Sequence, residues 1–268
     1  MATKKKAASS TTTLALWQEK FMASAKAGAE QLKNIGGGGT GIKFGHGTIQ
    51  VGDAVKKDGK IEVIIVGYTG HNRWFKGKYD PSETTPPDCY AFSAILGDEA
   101  MAPHPAASDK QSTLCIDCPK NAWGSADTGR GKACANTVRL GCLLASDIDE
   151  AKDVAGAELA TAGVSPTNLA KFKSYVNELA DRAASDGGPR PTWGVITQIQ
   201  SFHDDKTQIR LEFTLVSDIE DAAILEALEK RLNKVQDTLQ QPYQATAEKV
   251  KAGARKKFAG KVPAKKGK

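Results

Sequence analysis

Residues 115–134 read CIDCPKNAWGSADTGRGKAC and hold three of the five cysteines in this 268-residue chain. Two residues separate Cys115 from Cys118, and fifteen separate Cys118 from Cys134. A short cysteine knuckle followed at this distance by another cysteine is a spacing with which proteins bind a tetrahedral zinc ion. Three thiolates leave one position of the tetrahedron open. The pattern therefore predicts one more ligand elsewhere in the chain.

Two upstream residues can supply this fourth ligand. They are Cys89 in PPDCYAFS and His104 in APHPAAS. Cys89 is favoured because an unpaired exposed thiol would be reactive, and His104 stays open as the alternative. The fifth cysteine, Cys142, lies in the apolar run TVRLGCLLA, which predicts a small buried side chain rather than a ligand.

We expect the zinc site to be structural rather than catalytic. A catalytic zinc ion keeps an open coordination position and needs a general base nearby, and the sequence offers no obvious base. The zinc deaminases carry a His-x-Glu motif before Pro-Cys-x-x-Cys, and no His-x-Glu occurs in this chain. The sequence thus predicts a Zn²⁺ cofactor that stabilises the fold, no catalytic residues and no enzymatic activity.

The composition favours an intracellular protein with tails of opposite charge to its body. No apolar run reaches the roughly 18 residues that span a membrane, and the start MATKKKAASSTTT lacks the apolar segment of a signal peptide. The net charge is +6, yet residues 249–268 contain nine Lys or Arg and no acid, and Lys4–Lys6 add three more. Residues 7–248 are therefore mildly acidic, so a phosphate-binding surface on the body has to be a local patch.

Two segments mix cationic and aromatic side chains, which is typical of surfaces where bases stack on rings while cations contact phosphates. They are residues 69–81, TGHNRWFKGKYDP, and the loop between Cys118 and Cys134. For residues 69–81 the alternative is a strand that packs its aromatic rings into the core. For the cysteine loop the alternative is that Trp123 covers the metal. The candidate nucleic-acid-binding residues are Arg73, Trp74, Lys76, Lys78, Tyr79, Lys120, Trp123, Arg130, Lys132 and Arg139.

Hydrophobic periodicity predicts a mixed α+β protein. A helix is expected over about 14–34, a glycine linker over 36–39, and a mostly helical region over 147–162 and from Ser165 to about 185. An amphipathic helix over 221–240 is expected to dock on the body or on another subunit. The predicted strands cover 42–51, 61–68 and 137–145, with a hairpin formed by 192–200 and 207–216.

The zinc motif resembles that of a group of tailed-phage proteins, some of which look like single-stranded DNA-binding proteins. The similarity rests on Cys-x-x-Cys-Pro-x-Asn-x-Trp-Gly-Ser at 115–125, on Gly-Arg-Gly-Lys-Ala-Cys at 129–134, and on the strand around Arg139. In that group an upstream cysteine precedes the pair, as Cys89 does here. Weaker similarity continues through 164–175 and 193–213, so the resemblance covers about residues 40–216.

The resemblance implies a small β-barrel of oligonucleotide-binding (OB) type with an inserted zinc-binding loop and flanking helices. The expected division is 1–39 as basic start, helix and linker, 40–218 as OB-like core with a zinc insertion at about 81–136, 219–241 as amphipathic helix, and 242–268 as disordered basic tail. The implied function is coating of single-stranded DNA during replication or recombination, in the cytoplasm of an infected bacterium.

One departure from that group concerns the tail. Phage single-strand binders commonly end in an acidic tail that recruits partners, whereas this tail is basic and is expected to contact nucleic acid itself. The alternative function is a virion or assembly protein whose basic tails bind DNA nonspecifically. Through the late amphipathic helix, the chain is expected to bind a second copy of itself or proteins of replication or recombination. No contact with a membrane is expected.

Overall fold

A nine-stranded sheet that curls into a half-barrel organises this mixed α+β protein. The computed structural model describes residues 40–77, 86–95 and 97–243. The predicted helix at 14–34, the glycine linker, Lys78, Tyr79 and most of the basic tail lie outside these residues. The strands are β1 (Thr40–Phe44), β2 (Ile49–Val51), β3 (Ala54–Lys56), β4 (Lys60–Trp74), β5 (Cys89–Ser93), β6 (Ala135–Leu144), β7 (Ala160–Val164), β8 (Val195–Asp204) and β9 (Gln208–Asp218). The α-helices are α1 (Ala151–Gly156), α2 (Leu169–Ala180) and α3 (Ala222–Leu239).

The strands follow the order β3-β2-β1-β7-β6-β4-β8-β9, and β5 adds to β4 outside this path. The β1–β7 pair is parallel, and the other pairs are antiparallel. Helix α2 connects β7 to β8, and the loop that carries three of the cysteines connects β5 to β6. This loop returns along β5, where the N–H groups of His104 and Asp109 donate to the carbonyls of Tyr90 and Asp88.

The 15-residue strand β4 contributes to both halves of the curl. Within its run IEVIIVGY, four successive residues, 63–66, are buried, so the strand is covered on both faces there, as expected where a helix or a core lies on each side. One edge pairs with β6 along almost its whole length, while the other edge pairs first with β8 and then with β5. The register with β6 shifts between Ile65 and Gly67, a bulge that bends the strand there.

The curl brings the β1–β2 turn against β8. The hydroxyl of Ser201 donates to the carbonyl of Gly45 at 2.5 Å, and the Ser201 N–H donates to the carbonyl of Gly59 at 2.8 Å. Gly59 has φ +64°, and a Cβ there would lie 2.7 Å from the Gly47 oxygen. Only glycine fits this contact, where the β1–β2 turn meets the turn before β4, and the Ser201 hydroxyl then links the β1–β2 turn to β8, with which β1 and β2 do not pair.

Two apolar clusters cover opposite faces of the sheet. Ile61, Val63 and Ile65 point into the curl and pack with Phe172 of α2. The alternate residues of β4, Ile64 and Val66, point outward and pack beneath α3. The amphipathic helix predicted at 221–240 therefore docks on its own sheet, and its apolar face is not free for another subunit.

Most sequence-predicted elements are confirmed. The buried strands at 61–68 and 137–145, the late hairpin, the helix after Ser165 and the last helix all form, and 42–51 folds as the β1–β2 hairpin. The helical prediction for 147–162 is wrong beyond Gly156, because β7 begins at Ala160. Tertiary pairing with β1 and β6 outweighs the helix propensity of this alanine-rich segment.

Within the described part of the chain, no helix combines the length and the apolar character that a membrane crossing requires.

Candidate metal and nucleic-acid site

Four cysteines from three separate parts of the chain line one small cavity. Cys89 opens β5 opposite Trp74, Cys134 directly precedes β6, and Cys115 and Cys118 come from the loop between them. All four are buried. The cavity they share has a volume of about 10 Å³, close to that of a single water molecule or ion.

Backbone hydrogen bonds shape the cysteine loop. A short 3-10 turn, Pro119–Asn121, follows Cys118, and the Cys134 N–H donates to the carbonyl of Lys120 at 2.7 Å. The Asn121 side chain donates to the carbonyl of Cys115 at 2.7 Å. These bonds bring the first pair of cysteines and the third together without a disulfide; all five cysteines are free thiols.

The electrostatics of the thiols show how close together they lie. Burial raises the pKa of Cys89 and of Cys115, and it raises the pKa of Cys134 to about 12. The charges of Cys115, Cys118 and Cys89 add to the effect on Cys134, because neighbouring thiolates repel one another. A cation among them would reverse this repulsion. Burial alone raises the pKa of Cys142 to about 12.

The donor set suits zinc, whereas the geometry is not that of a closed coordination shell. Four thiols are one of the standard ligand sets of structural zinc. Nevertheless, among residues 40–77, 86–95 and 97–243 no three or more His, Cys, Asp or Glu side chains are arranged as a metal site. The thiols would have to turn toward one point for an ion to bind. The four thiols therefore suit zinc by their chemistry and by their closeness to one another, but not yet by their orientation.

His104, the alternative fourth ligand, does not line this cavity. Its ring stacks on Tyr90, with the ring centroids 5.1 Å apart, and its Nδ1 accepts the Ala106 N–H at 3.1 Å. Cys142 also lies elsewhere, in the inner apolar cluster. The structure thus brings together the four cysteines that the sequence favoured, leaves the alternative ligand His104 apart, and buries Cys142 in the apolar core as predicted.

The two candidate tryptophans have different environments. Trp74 is 9 % exposed and packs against Cys89 and Cys134, with the Lys120 ammonium 5.2 Å from its ring centroid. Its ring covers the thiols and is not free to stack on a base. Trp123 is 82 % exposed on the cysteine loop. The predicted stacking role therefore suits Trp123, and the metal-covering role suits Trp74.

Several candidate cations already have partners. Lys132 donates to the side-chain oxygens of Asn121 and Asn136, at 3.1 and 3.0 Å, and so ties the cysteine loop to β6. Lys76 lies 3.8 Å from Asp109, an exposed pair that contributes little. Arg130 is exposed near the tip of the loop.

A groove of about 210 Å³ runs over the outer face of β6 and β7, at the end of α3. Two of the candidate cations, Arg73 and Arg139, line it. The remaining lining residues are His71, Thr137, Val138, Thr161, Ala162, Gly163, Val164, Ser165 and Tyr243. No Asp or Glu is among these described residues, so the groove is a local basic patch on an acidic body.

Sequence reasoning missed two residues of the groove, His71 and Tyr243. Burial, followed by the charges of Arg139 and Arg73, holds the pKa of His71 well below its usual value, so this imidazole is neutral. Its Nε2 is hydrogen-bonded to the Tyr243 hydroxyl at 3.1 Å. His71 could have been predicted from the period-two alternation of a strand, which places it on the same face as Arg73. No sequence pattern indicated Tyr243, because it lies beyond the last predicted helix.

No family model matches this chain, and neither the curated proteins nor the solved structures contain a significant match.

Proposed function

We propose that this protein is a non-catalytic single-stranded DNA-binding protein with an OB-type barrel and a structural zinc ion. The observation that carries the proposal is the acid-free groove over β6 and β7, which is lined by Arg139 of β6 and by Arg73 of the neighbouring strand β4. Residues 7–248 carry a net negative charge, so a surface without acids and with two arginines is the part of the body best suited to phosphates.

The pairing order of five strands supports an OB-type assignment, with one of the five, β1, supplied from a part of the chain that precedes β4. An OB barrel has five strands, is partly open, and binds oligonucleotides on the face of its second and third strands and on the loop between its first two. With β4 as the first strand, β6 and β7 are the second and third, and β8 and β1 complete the set. The groove then lies on the expected face, and β5 with the cysteine loop stands between the first two barrel strands.

The cysteine loop would extend this surface. Its exposed ring, Trp123, is suited to stacking on a base, and Arg130 near the loop tip is suited to a phosphate. Stacking and charge together give the sequence-tolerant binding that coating of a single strand requires.

Zinc would be held by Cys89, Cys115, Cys118 and Cys134. When bound, it would supply a cross-link among three chain segments and stabilise the deprotonated thiols. The chain itself contributes the indole of Trp74, which packs on Cys89 and Cys134 and shields them from water, and the Lys120 ammonium lies above that ring.

Zinc content and thiol substitution test the metal assignment. We expect one zinc ion per chain in wild type and its loss in Cys115→Ser, measured by elemental analysis of protein purified without added chelator. Cys142→Ala is the matched control, because this thiol is buried outside the cavity, and it should keep the zinc. Equal zinc content in all three proteins, or none in wild type, would contradict the assignment.

Titration of a fluorescently labelled single-stranded oligonucleotide at two salt concentrations tests the function. We expect micromolar or tighter binding that weakens as salt rises, because each phosphate contact releases counterions. Absence of binding by zinc-loaded protein would refute the proposal.

Deletion of residues 249–268 separates this function from its alternative. That segment carries nine Lys or Arg without an acid, which by itself favours a virion or assembly protein that holds DNA through its tail. If the truncated protein keeps most of its affinity, the groove is the binding surface. If all affinity disappears with the tail, the alternative is correct.

A further inference from the structure

The ring of Tyr243, from beyond the last helix, forms one wall of the groove. Helix α3 ends at Leu239, and the following residues return to the outer face of β6. There the Tyr243 ring meets Tyr90 edge to face, with centroids 5.0 Å apart, and lies 5.8 Å from the ring of His71. Residues from β4 and β5 thus fix a side chain that belongs to neither strand.

Arg139 connects this ring to the anion-binding part of the groove. Its guanidinium lies between two rings, 5.0 Å from the Phe92 centroid and 5.4 Å from the Tyr243 centroid. One guanidinium nitrogen donates to the carbonyl of Leu239 at 2.9 Å. The charge is therefore held in one position by cation–π contacts and by the helix end. A fixed cation loses little freedom when a phosphate binds.

Tyr243 borders the groove without filling it. Its hydroxyl is bonded to the neutral His71 imidazole, which sets the orientation of the ring, and the residue remains partly exposed. About 210 Å³ of open space stays beside it. That volume is below the range of pockets for drug-sized ligands, and it suits a single base with its flanking backbone outside.

We infer that Tyr243 is a base-stacking residue of the nucleic-acid groove, and that one base of a bound single strand stacks on its exposed ring surface while Arg139 and Arg73 contact the adjoining phosphates. This inference rests on the proposed function. It adds a site residue outside the barrel and assigns the segment after α3 to the binding surface.

Oligonucleotide titrations of Tyr243→Ala and Tyr243→Phe over a series of salt concentrations test the inference. Removal of the ring should lower affinity about 5- to 150-fold, the range that base–aromatic stacking supplies. The slope of log K against log salt should stay unchanged, because a ring carries no charge. By contrast, Arg73→Gln should make the slope shallower by about 0.7. Tyr243→Phe keeps the ring and should stay within about threefold of wild type.

The matched control is Phe202→Ala on β8. Phe202 is also a partly buried ring with an arginine over it, Arg210 at 5.2 Å, but it does not line the groove. Its loss should leave affinity unchanged, and thermal melts of all variants confirm that they fold.

The outcomes separate the two proposals. If wild type does not bind, the proposed function fails and this inference fails with it. If wild type binds while Tyr243→Ala binds equally well or more tightly, the function stands and Tyr243 is no stacking residue. A Phe variant as weak as the Ala variant would also overturn the inference, because the hydroxyl and not the ring would then be responsible.

Discussion

Gly141 allows helix α3 to approach the sheet. It lies in β6 opposite Gly67 of β4, and the two glycines form a flat patch beneath the helix. A Cβ on Gly141 would lie 2.7 Å from a methyl carbon of Val235 and 3.4 Å from one of Leu239. Both partners are fully buried, so neither can turn away.

We therefore expect Gly141→Ala to lower the free energy of unfolding by about 1–3 kcal/mol, the usual cost of overpacking a filled core. Urea denaturation followed by circular dichroism measures the change. The control is Gly41→Ala, on β1, where a Cβ would meet nothing within 4 Å. A stability loss of equal size at both positions would mean that strand flexibility, and not the helix contact, is responsible.

At the residue scale, sequence spacing singled out Cys115, Cys118 and Cys134 and left Cys89, the favoured fourth ligand, beside His104, but it did not predict the roles of the aromatic residues. Cysteine is a scarce residue with few structural roles, so its spacing carries direct information. A tryptophan serves equally well as core or as contact surface, and only the fold shows that Trp74 is buried and Trp123 exposed. For the same reason Tyr243 could not be found, since its neighbours come from distant strands.

At the scale of elements, an ion pair joins the end of α2 to the end of β9. The Arg182 guanidinium donates to both carboxylate oxygens of Asp218, at 2.6 and 3.0 Å. Arg190 lies 3.9 Å from the same carboxylate. These hydrogen bonds hold the pKa of Asp218 below its usual value.

This lowered pKa predicts a pH-dependent contribution to stability. Because the folded-state pKa of Asp218 is below the unfolded one, the stabilisation is complete above the ordinary aspartate pKa and is lost as pH falls through the lowered value. Asp218→Asn should therefore be less stable than wild type at neutral pH, and the difference should shrink in acid. Denaturation curves at several pH values measure it.

Asp205→Asn serves as the control for this measurement, since its carboxylate is 97 % exposed. It should differ little from wild type at any pH. A constant gap between wild type and Asp218→Asn down to strongly acidic pH would show that the loss comes from packing and not from charge.

The elements that the sequence predicted well have a clear hydrophobic period. The seam of α3 and the apolar run of β4 each reach the length at which the period is unambiguous. Strand β7 was missed because its five residues, ATAGV, carry little apolar surface of their own and form a strand only between β1 and β6.

At the scale of the whole molecule, the zinc proposal predicts two regions of different stability. Between Gly97 and Cys134 the described chain forms one short 3-10 turn and no strand, and it is held by isolated hydrogen bonds such as His104 N–H to Tyr90 O at 2.7 Å and Cys115 N–H to Met101 O at 2.8 Å. Strands β4, β6 and β8 of the half-barrel pack into the apolar clusters on the two faces of the sheet. Loss of the metal should therefore loosen the first region and spare the second.

Hydrogen–deuterium exchange with and without a zinc chelator checks this expectation. Amides of residues 97–134 should lose protection on chelation, while those of β4, β6 and β8 keep it. The Cys142→Ala variant should respond as wild type does. Unchanged exchange over residues 97–134 would contradict a structural metal there, and global loss of protection would contradict a sheet that is stable without the metal.

The parallel pair of β1 and β7 has a consequence for the order of folding. It joins Thr40 to Ala160, and β1 carries β2 and β3 with it. During synthesis the first three strands emerge early and can pair with one another, but the second edge of β1 has no partner until β7 has left the ribosome. The contact joins residues that are far apart in sequence, so for that interval the nascent chain presents an unpaired strand edge on which chaperones can act.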